Sequence, residues 1–209
     1  MQAKFIVFEG LDGSGKSTQI RLLEERLVKL GHKVAVTAEP TASATGGLVR
    51  DALCAFTPRT GAEIAALFAA DRVAHNTNPV WGIEKMLKDG RDVICDRYYY
   101  SSLAYQGSVT DPGWVRDMNL NCPEIRKPDL CVFLDVDYER CCQRMEGDRA
   151  FREIYENRDA LKKIRQRYFE TFEELRERDN IVVIDAARAV EDVAADVFSA
   201  VETLFSMEK

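Results

Sequence analysis

The chain has 209 residues, 46% apolar and 31% charged, a balance that excludes a disordered polymer and suits one globular domain with a small insertion or lid. Its 29 Lys and Arg against 35 Asp and Glu give a net charge of −6, which argues against a dedicated nucleic-acid binder. The longest apolar run, Ile64 to Ala70, is far short of the ~20 residues a bilayer span requires, and the N-terminus lacks the charged, apolar, small-residue order of a signal peptide.

Phe5 to Phe8 is an apolar, β-branched and aromatic run, and predicts a buried strand. From Lys16 to Leu30 the apolar residues Ile20, Leu23, Leu27 and Leu30 recur at helical spacing, with Gly31 as the stop. Val34 to Val36 predicts a second strand. Ala62 to Ala74 and Val80 to Leu87 read as helices divided by Asn78-Pro79. Val93 to Cys95 is a third strand, Trp114 to Leu120 a short helix, and Leu130 to Val136 a fourth strand. Tyr138 to Met145 and Arg158 to Glu177 read as helices around a charged stretch, Ile181 to Ile184 as a fifth strand, and Val190 to Phe205 as an amphipathic helix. Strands alternate with helices throughout, and four of the five strands are solid apolar runs. The expectation is an α/β domain with a five-stranded parallel sheet flanked by helices, and ligands outside the carboxyl ends of the strands.

After the first strand come Gly10, Leu11, Asp12, Gly13, Ser14, Gly15, Lys16, Ser17 and Thr18, which fit G-x-x-x-x-G-K-[ST] between a strand and a helix. Glycines let such a loop turn its N–H groups inward, and the helix N-terminus adds the positive end of its dipole. Lys16 should reach the β- and γ-phosphates of a nucleotide, and the Ser17 hydroxyl should ligate Mg²⁺. The motif alone implies ATP or GTP binding. No Asn-Lys-x-Asp base-reading motif occurs, and no Asp-Glu pair closes a strand, which argues against GTPase switches and ATP-driven motors. Arg50, Arg72, Arg97, Arg144, Arg149 and Arg152 gather after strand ends or in the charged stretch, as a reaction between two polyanions requires. The six cysteines form no C-x-x-C pair and only two His are present, so buried or half-buried thiols in a reducing, cytoplasmic setting are expected.

The runs Phe5 to Gln19 (FIVFEGLDGSGKSTQ), Thr37 to Pro40 (TAEP), Leu67 to Arg72 (LFAADR) and Asp96 to Gly107 (DRYYYSSLAYQG) together resemble bacterial thymidylate kinase, nearly over the whole length. The resemblance implies a P-loop nucleoside monophosphate kinase of one domain spanning 1–209, with a lid at about 142–157. It implies transfer of the γ-phosphoryl of ATP to dTMP, with Mg²⁺, in a homodimer that uses neither nucleic acid nor membrane.

On the same basis Asp12 lies near the acceptor's sugar and phosphate, Phe68 stacks on thymine, Arg72 holds the base edge and Arg50 the acceptor phosphate. Arg97 lies between donor and acceptor phosphates. Ser101, Ser102, Tyr105 and Gln106 line the nucleoside pocket, Tyr105 crowding the 2′ position. Asp96 and Glu39 are candidates for the Mg²⁺ water shell. The loop holds no arginine between Gly10 and Lys16, so Arg152, with Arg149 second, is expected to neutralise transition-state charge. Plainer readings stand beside these: Phe68 as core, Asp12 as a loop cap, the charged stretch as a solvated helix turn.

Two departures concern the acceptor: an arginine is lost, and two glycines become residues with side chains. Where the family reads Arg-Glu-Pro-Gly-Gly-Thr, this chain reads Ala38-Glu39-Pro40-Thr41-Ala42-Ser43. The alternatives are a related kinase for another nucleotide or deoxynucleoside, and an ATP-dependent regulator that turns over no small acceptor.

Overall fold

The structure, a computed structural model, describes residues 2–54, 58–145 and 158–206. Five parallel strands, β1 (Phe5–Glu9), β2 (Val34–Ala38), β3 (Asp92–Asp96), β4 (Leu130–Asp135) and β5 (Ile181–Asp185), lie in the order β2-β3-β1-β4-β5. The apolar runs of β1, β3 and β4 occupy the three inner positions and are buried almost throughout, as strands covered on both faces must be. The edge strands β2 and β5 are only partly buried.

Right-handed crossovers decide which helix covers which face. The step from β1 outward to β2 runs opposite to all later steps, so α1 (Lys16–Lys29) takes one face, where α9 (Val190–Ser206) packs beside it. The other face receives α2 (Ala44–Leu53), α3 (Gly61–Thr77), α4 (Ile83–Lys88), α5 (Tyr99–Tyr105), α6 (Pro112–Leu120), α7 (Tyr138–Met145) and α8 (Arg158–Leu175). Ile20, Leu23 and Leu27 of α1 and Val193, Val197, Phe198, Val201 and Leu204 of α9 point into the core, as their spacing predicts.

Two helices escape sequence periodicity. In α2, Gly46-Gly47 and Thr45 weaken helix propensity, and the element relies on Ser43, whose hydroxyl accepts the N–H of Gly46. In α5 every residue is buried, so no polar stripe marks it. Elsewhere boundaries shift. The helix predicted from Val80 starts at Ile83, because the Asn78 side chain takes the N–H groups of Val80 and Trp81 into a turn. The helix predicted from Ala62 extends over Gly61–Thr77, started by a capping box between Thr60 and Glu63.

The strand register brings the site's loops level. Asp96 pairs with Phe8 on one side and Ala38 on the other. The ladder continues one step, with Arg97 N donating to Phe8 O and Glu39 N to Asp96 O. The segments after β1, β2 and β3 therefore leave the sheet side by side.

Candidate active site

The loop after β1 folds back on itself, Ser14 N donating to Leu11 O at 3.1 Å. Gly13 has φ +82°, and a Cβ there would stand 2.6 Å from the carbonyl oxygen of Cys141, so a side chain is excluded by conformation and space. Gly15 precedes α1 in the left-handed region and offers no capping side chain, and the first turn of α1 holds no acid. The helix N-terminus is thus left for an external anion. Lys16 is buried, its Nζ 3.2 Å from Gly10 O and 3.3 Å from Leu11 O. Burial and the charge of Arg97 depress its pKa, while Asp96, Asp12 and Glu9 pull it back up.

Asp12, Gly13, Gly15, Lys16, Ser17, Thr18, Ala38, Asp96 and Arg144 face one cavity, which Glu39, Pro40 and Arg97 also line. Of the predicted phosphate-loop residues, Gly10, Leu11 and Ser14 form the loop's back, and the Leu11 side chain belongs to the core. The site fits a nucleotide with Mg²⁺ on two observations. Asp96 Oδ1 is buried without a hydrogen-bond partner, and the exposed Ser17 lines the same cavity. Among the described residues no cluster of three His, Cys, Asp or Glu could cage a metal alone.

A second cavity opens toward α2 and α3, lined by Asp12, Glu39, Pro40, Arg50, Leu53, Phe68, Arg72, Arg97, Tyr98, Ser101, Tyr105 and Gln106. It shares Asp12, Glu39, Pro40 and Arg97 with the first. Phe68 belongs both to this cavity and to the core. Arg72 is only 1% exposed: its Nε and Nη2 grip Glu39 Oε2 at 2.8 and 2.7 Å, and Nη1 donates to Ser102 Oγ at 3.1 Å and to Asn119 Oδ1. Glu39 Oε1 meets His75 Nδ1 at 2.9 Å, and His75 Nε2 meets Thr37 Oγ1 at 2.7 Å. Glu39 is thus held by Arg72 and His75, and it lines the phosphate-loop cavity together with Ser17 and Asp96. Ser102 does not line the pocket as the resemblance implies; it sits behind Arg72 and takes its Nη1.

The departure at Thr41-Ala42-Ser43 has a structural counterpart in Asp71. Asp71 accepts Thr41 N at 2.8 Å and the hydroxyls of Thr41, Thr45 and Ser43 at 2.6, 2.7 and 3.3 Å. Burial alone would raise its pKa, but these donors hold the carboxyl below its usual range. Arg50 then donates through Nη1 to Thr41 O at 2.5 Å and Pro40 O at 3.3 Å.

Arg97 stands at the junction of the cavities with φ 70°, a strained value for a residue with a Cβ. Its Nη2 donates to Asp12 Oδ1 at 2.8 Å, and its Nη1 to Ser101 Oγ at 3.0 Å and Tyr168 OH at 3.4 Å. Burial opposes its charge, but Tyr105, Asp12, Tyr168 and Glu9 outweigh that and hold it protonated.

A sequence profile of the thymidylate kinase family matches residues 8–197. A protein named "Probable thymidylate kinase" from Methanocaldococcus jannaschii is 38% identical over 195 residues, 92% of this chain and 93% of its own. One of the same name from Thermococcus onnurineus is 39% identical over 210 residues, 95% of this chain and 97% of its own. This chain belongs to the thymidylate kinase family. Within the thymidylate kinase frame, the expected lid cations Arg149 and Arg152 fall outside the described residues. Arg144, not given a separate role from sequence, bonds the carbonyls of Gly13 and Ser14 at 3.3 and 3.4 Å and faces the phosphate-loop cavity. Glu9, His75 and Asn119 were also missed, because each acts through a partner that only the fold supplies. Among the cysteines, Cys95, Cys131 and Cys141 are buried, and burial pushes the Cys95 and Cys131 thiols well up, as expected of inert packing groups. No helix among the described residues is long and apolar enough to cross a membrane.

Proposed function

We propose that the chain catalyses ATP + dTMP → ADP + dTDP. The observation that carries this reading is the shared wall. A phosphate-loop cavity and a cavity containing Phe68, Arg72 and Tyr105 meet at Asp12, Glu39, Pro40 and Arg97. Two polyanions entering from opposite sides would bring their phosphates together at Arg97.

Phosphoryl transfer needs little covalent help from protein groups, so positioning and electrostatics carry the catalysis. Lys16 and the loop amides hold the donor's phosphates, and Arg144 closes the loop's outer side. Ser17 and Asp96 would hold Mg²⁺, which supplies neutralisation of phosphate charge. In the acceptor cavity Phe68 stacks on the base, and Arg72, immobilised by Glu39, Ser102 and Asn119, presents its fixed charge to the base edge. Arg50 takes the acceptor phosphate, Asp12 steers Arg97, and Ser101, Tyr105 and Gln106 wall the nucleoside, Tyr105 against the 2′ position. The further cation for the transition state is assigned to Arg152, with Arg149 second. The reading extends to one domain over 1–209 acting as a cytoplasmic homodimer, which sedimentation equilibrium checks.

ADP release measured across a panel of nucleoside monophosphates and deoxynucleosides tests the reaction. Stimulation should be greatest with dTMP; ATP binding with no stimulation by any acceptor would refute it.

A further inference from the structure

We infer that Glu9 is a positioning residue for phosphoryl transfer, turning the hydroxyls of Ser101 and Tyr168 so that both present lone pairs to the guanidinium of Arg97. The inference rests on the reading of Arg97 as the cation between the two phosphates.

Glu9 ends the central strand and is fully buried beneath the phosphate loop. Four donors converge on its carboxylate. Oε1 accepts the backbone N–H groups of Tyr98 and Ser101 at 2.8 and 3.1 Å, and so caps α5, whose own N-cap residue supplies no side-chain bond. Oε2 accepts Ser101 Oγ at 2.7 Å and Tyr168 OH at 2.8 Å. Those same two oxygens are the acceptors for Arg97 Nη1, at 3.0 and 3.4 Å, and lie 2.9 Å from each other.

Proton counting fixes the direction of this network. Ser101 Oγ and Tyr168 OH own one proton each. Burial pushes the Glu9 carboxyl up, while Arg97 and the Ser101, Tyr98 and Tyr168 donors pull it back down. In all four hydrogen bonds the carboxyl is the acceptor, an arrangement that a carboxylate satisfies and a protonated acid does not. Bonds to a carboxylate are stronger than a bond between two neutral hydroxyls, so both protons turn to Glu9. Each oxygen then faces Arg97 with lone pairs alone, and Nη1 finds two acceptors and no opposing proton. Burying a carboxylate is costly, and a cap alone would be met by a neutral acceptor. A negative charge is what this orientation requires.

Glu9→Gln separates the two roles. Glutamine keeps the volume and one carbonyl oxygen for the α5 cap. Its amide N–H groups, however, must donate to the hydroxyls; one hydroxyl can then donate to the other across 2.9 Å, and the remaining proton turns toward Arg97. The test measures kcat, both KM values and thermal stability for Glu9→Gln, Tyr168→Phe and their double variant, each also in an Arg97→Ala background. Tyr168→Phe keeps the ring contacts with Phe133 and Phe172.

Folded Glu9→Gln is expected to lose kcat by on the order of 10²-fold with both KM values within about threefold. Tyr168→Phe should lose about tenfold, and the double variant no more than Glu9→Gln alone. With Arg97 replaced, neither change should cost more than about threefold. A folded Glu9→Gln at wild-type kcat would overturn the inference, as would an equal loss with and without Arg97. If Glu9→Gln does not fold, Glu9→Asp, whose shorter side chain draws the carboxylate back from both hydroxyls, enters the same cycle with Arg97→Ala and is judged on the same criterion. Arg97→Ala turning over dTMP at the wild-type rate is a separate signal, and would remove the underlying reading of Arg97 itself.

Discussion

Lys16 and Arg97 differ in how they reach the same place. Lys16 is fixed by local spacing, four residues of which define the loop, and so its position is legible before any fold is known. Arg97 is legible as a charge following a buried strand and through the resemblance of the run that it opens; its contacts come from β1's loop, α5 and α8. Lys16→Ala and Arg97→Ala should each lower kcat/KM by at least ~10²–10³-fold, the scale of losing one preorganised charge, with melting temperatures near wild type. Unchanged turnover in either would remove its role. Arg72 shows the limit of reading residues singly. Its partners Glu39, Ser102 and Asn119 come from the loop after β2, α5 and α6, separations that no local pattern reports. If Phe68 and Arg72 bind the base as proposed, dTMP should be preferred over dUMP by roughly 10–200-fold in kcat/KM, the range one methyl group commands in an apolar pocket. Phe68→Ala should reduce that ratio, and a steady-state comparison of the two nucleotides checks it.

At the scale of elements, the long amphipathic helices α1 and α9 and the inner strands were legible because packing and periodicity agree. The helices α2 and α5 were not, because capping from outside sustains them: Ser43 and Asp71 for one, Glu9 for the other. Asp71 makes the loop before α2 a fixed element, its carboxylate holding three hydroxyls and one N–H. Because those donors hold the folded-state pKa below the ordinary Asp value of 3.8, Asp71 contributes stability above that value and loses it as pH falls through the lowered pKa. Asp71→Asn should therefore destabilise by about 1–3 kcal/mol at pH 7, with the difference from wild type shrinking below roughly pH 4. Denaturant melts at several pH values follow it; a pH-independent difference would show that the charge is not what matters. Gly46 is the same loop's second requirement, since a Cβ there would collide with the Thr41 backbone. Gly46→Ala should destabilise by ~1–3 kcal/mol and raise the dTMP KM through Arg50, which hangs on the Thr41 carbonyl. Wild-type values for both would mean that the loop relaxes freely.

For the whole molecule, the order β2-β3-β1-β4-β5 brings three strand ends level, and this levelling makes two cavities share one wall. Alternation of strands and helices announced the sheet, and the spacing of Gly10, Gly15, Lys16 and Ser17 announced the phosphate loop. It did not announce the shared wall, which depends on register between strands nearly ninety residues apart. A molecule built this way should respond to its ligands jointly: ATP and dTMP, each at about 100 Kd, should stabilise the fold by ~2.7 kcal/mol apiece in thermal melts. The central claim is that the phosphoryl group crosses that wall at Arg97. The direct measurement is the fate of label from γ-labelled ATP incubated with Mg²⁺ and dTMP. The expected result is label in dTDP, matched by ADP, and nearly abolished by Arg97→Ala. Label found only in inorganic phosphate, or dTDP formed equally well without Arg97, would contradict it.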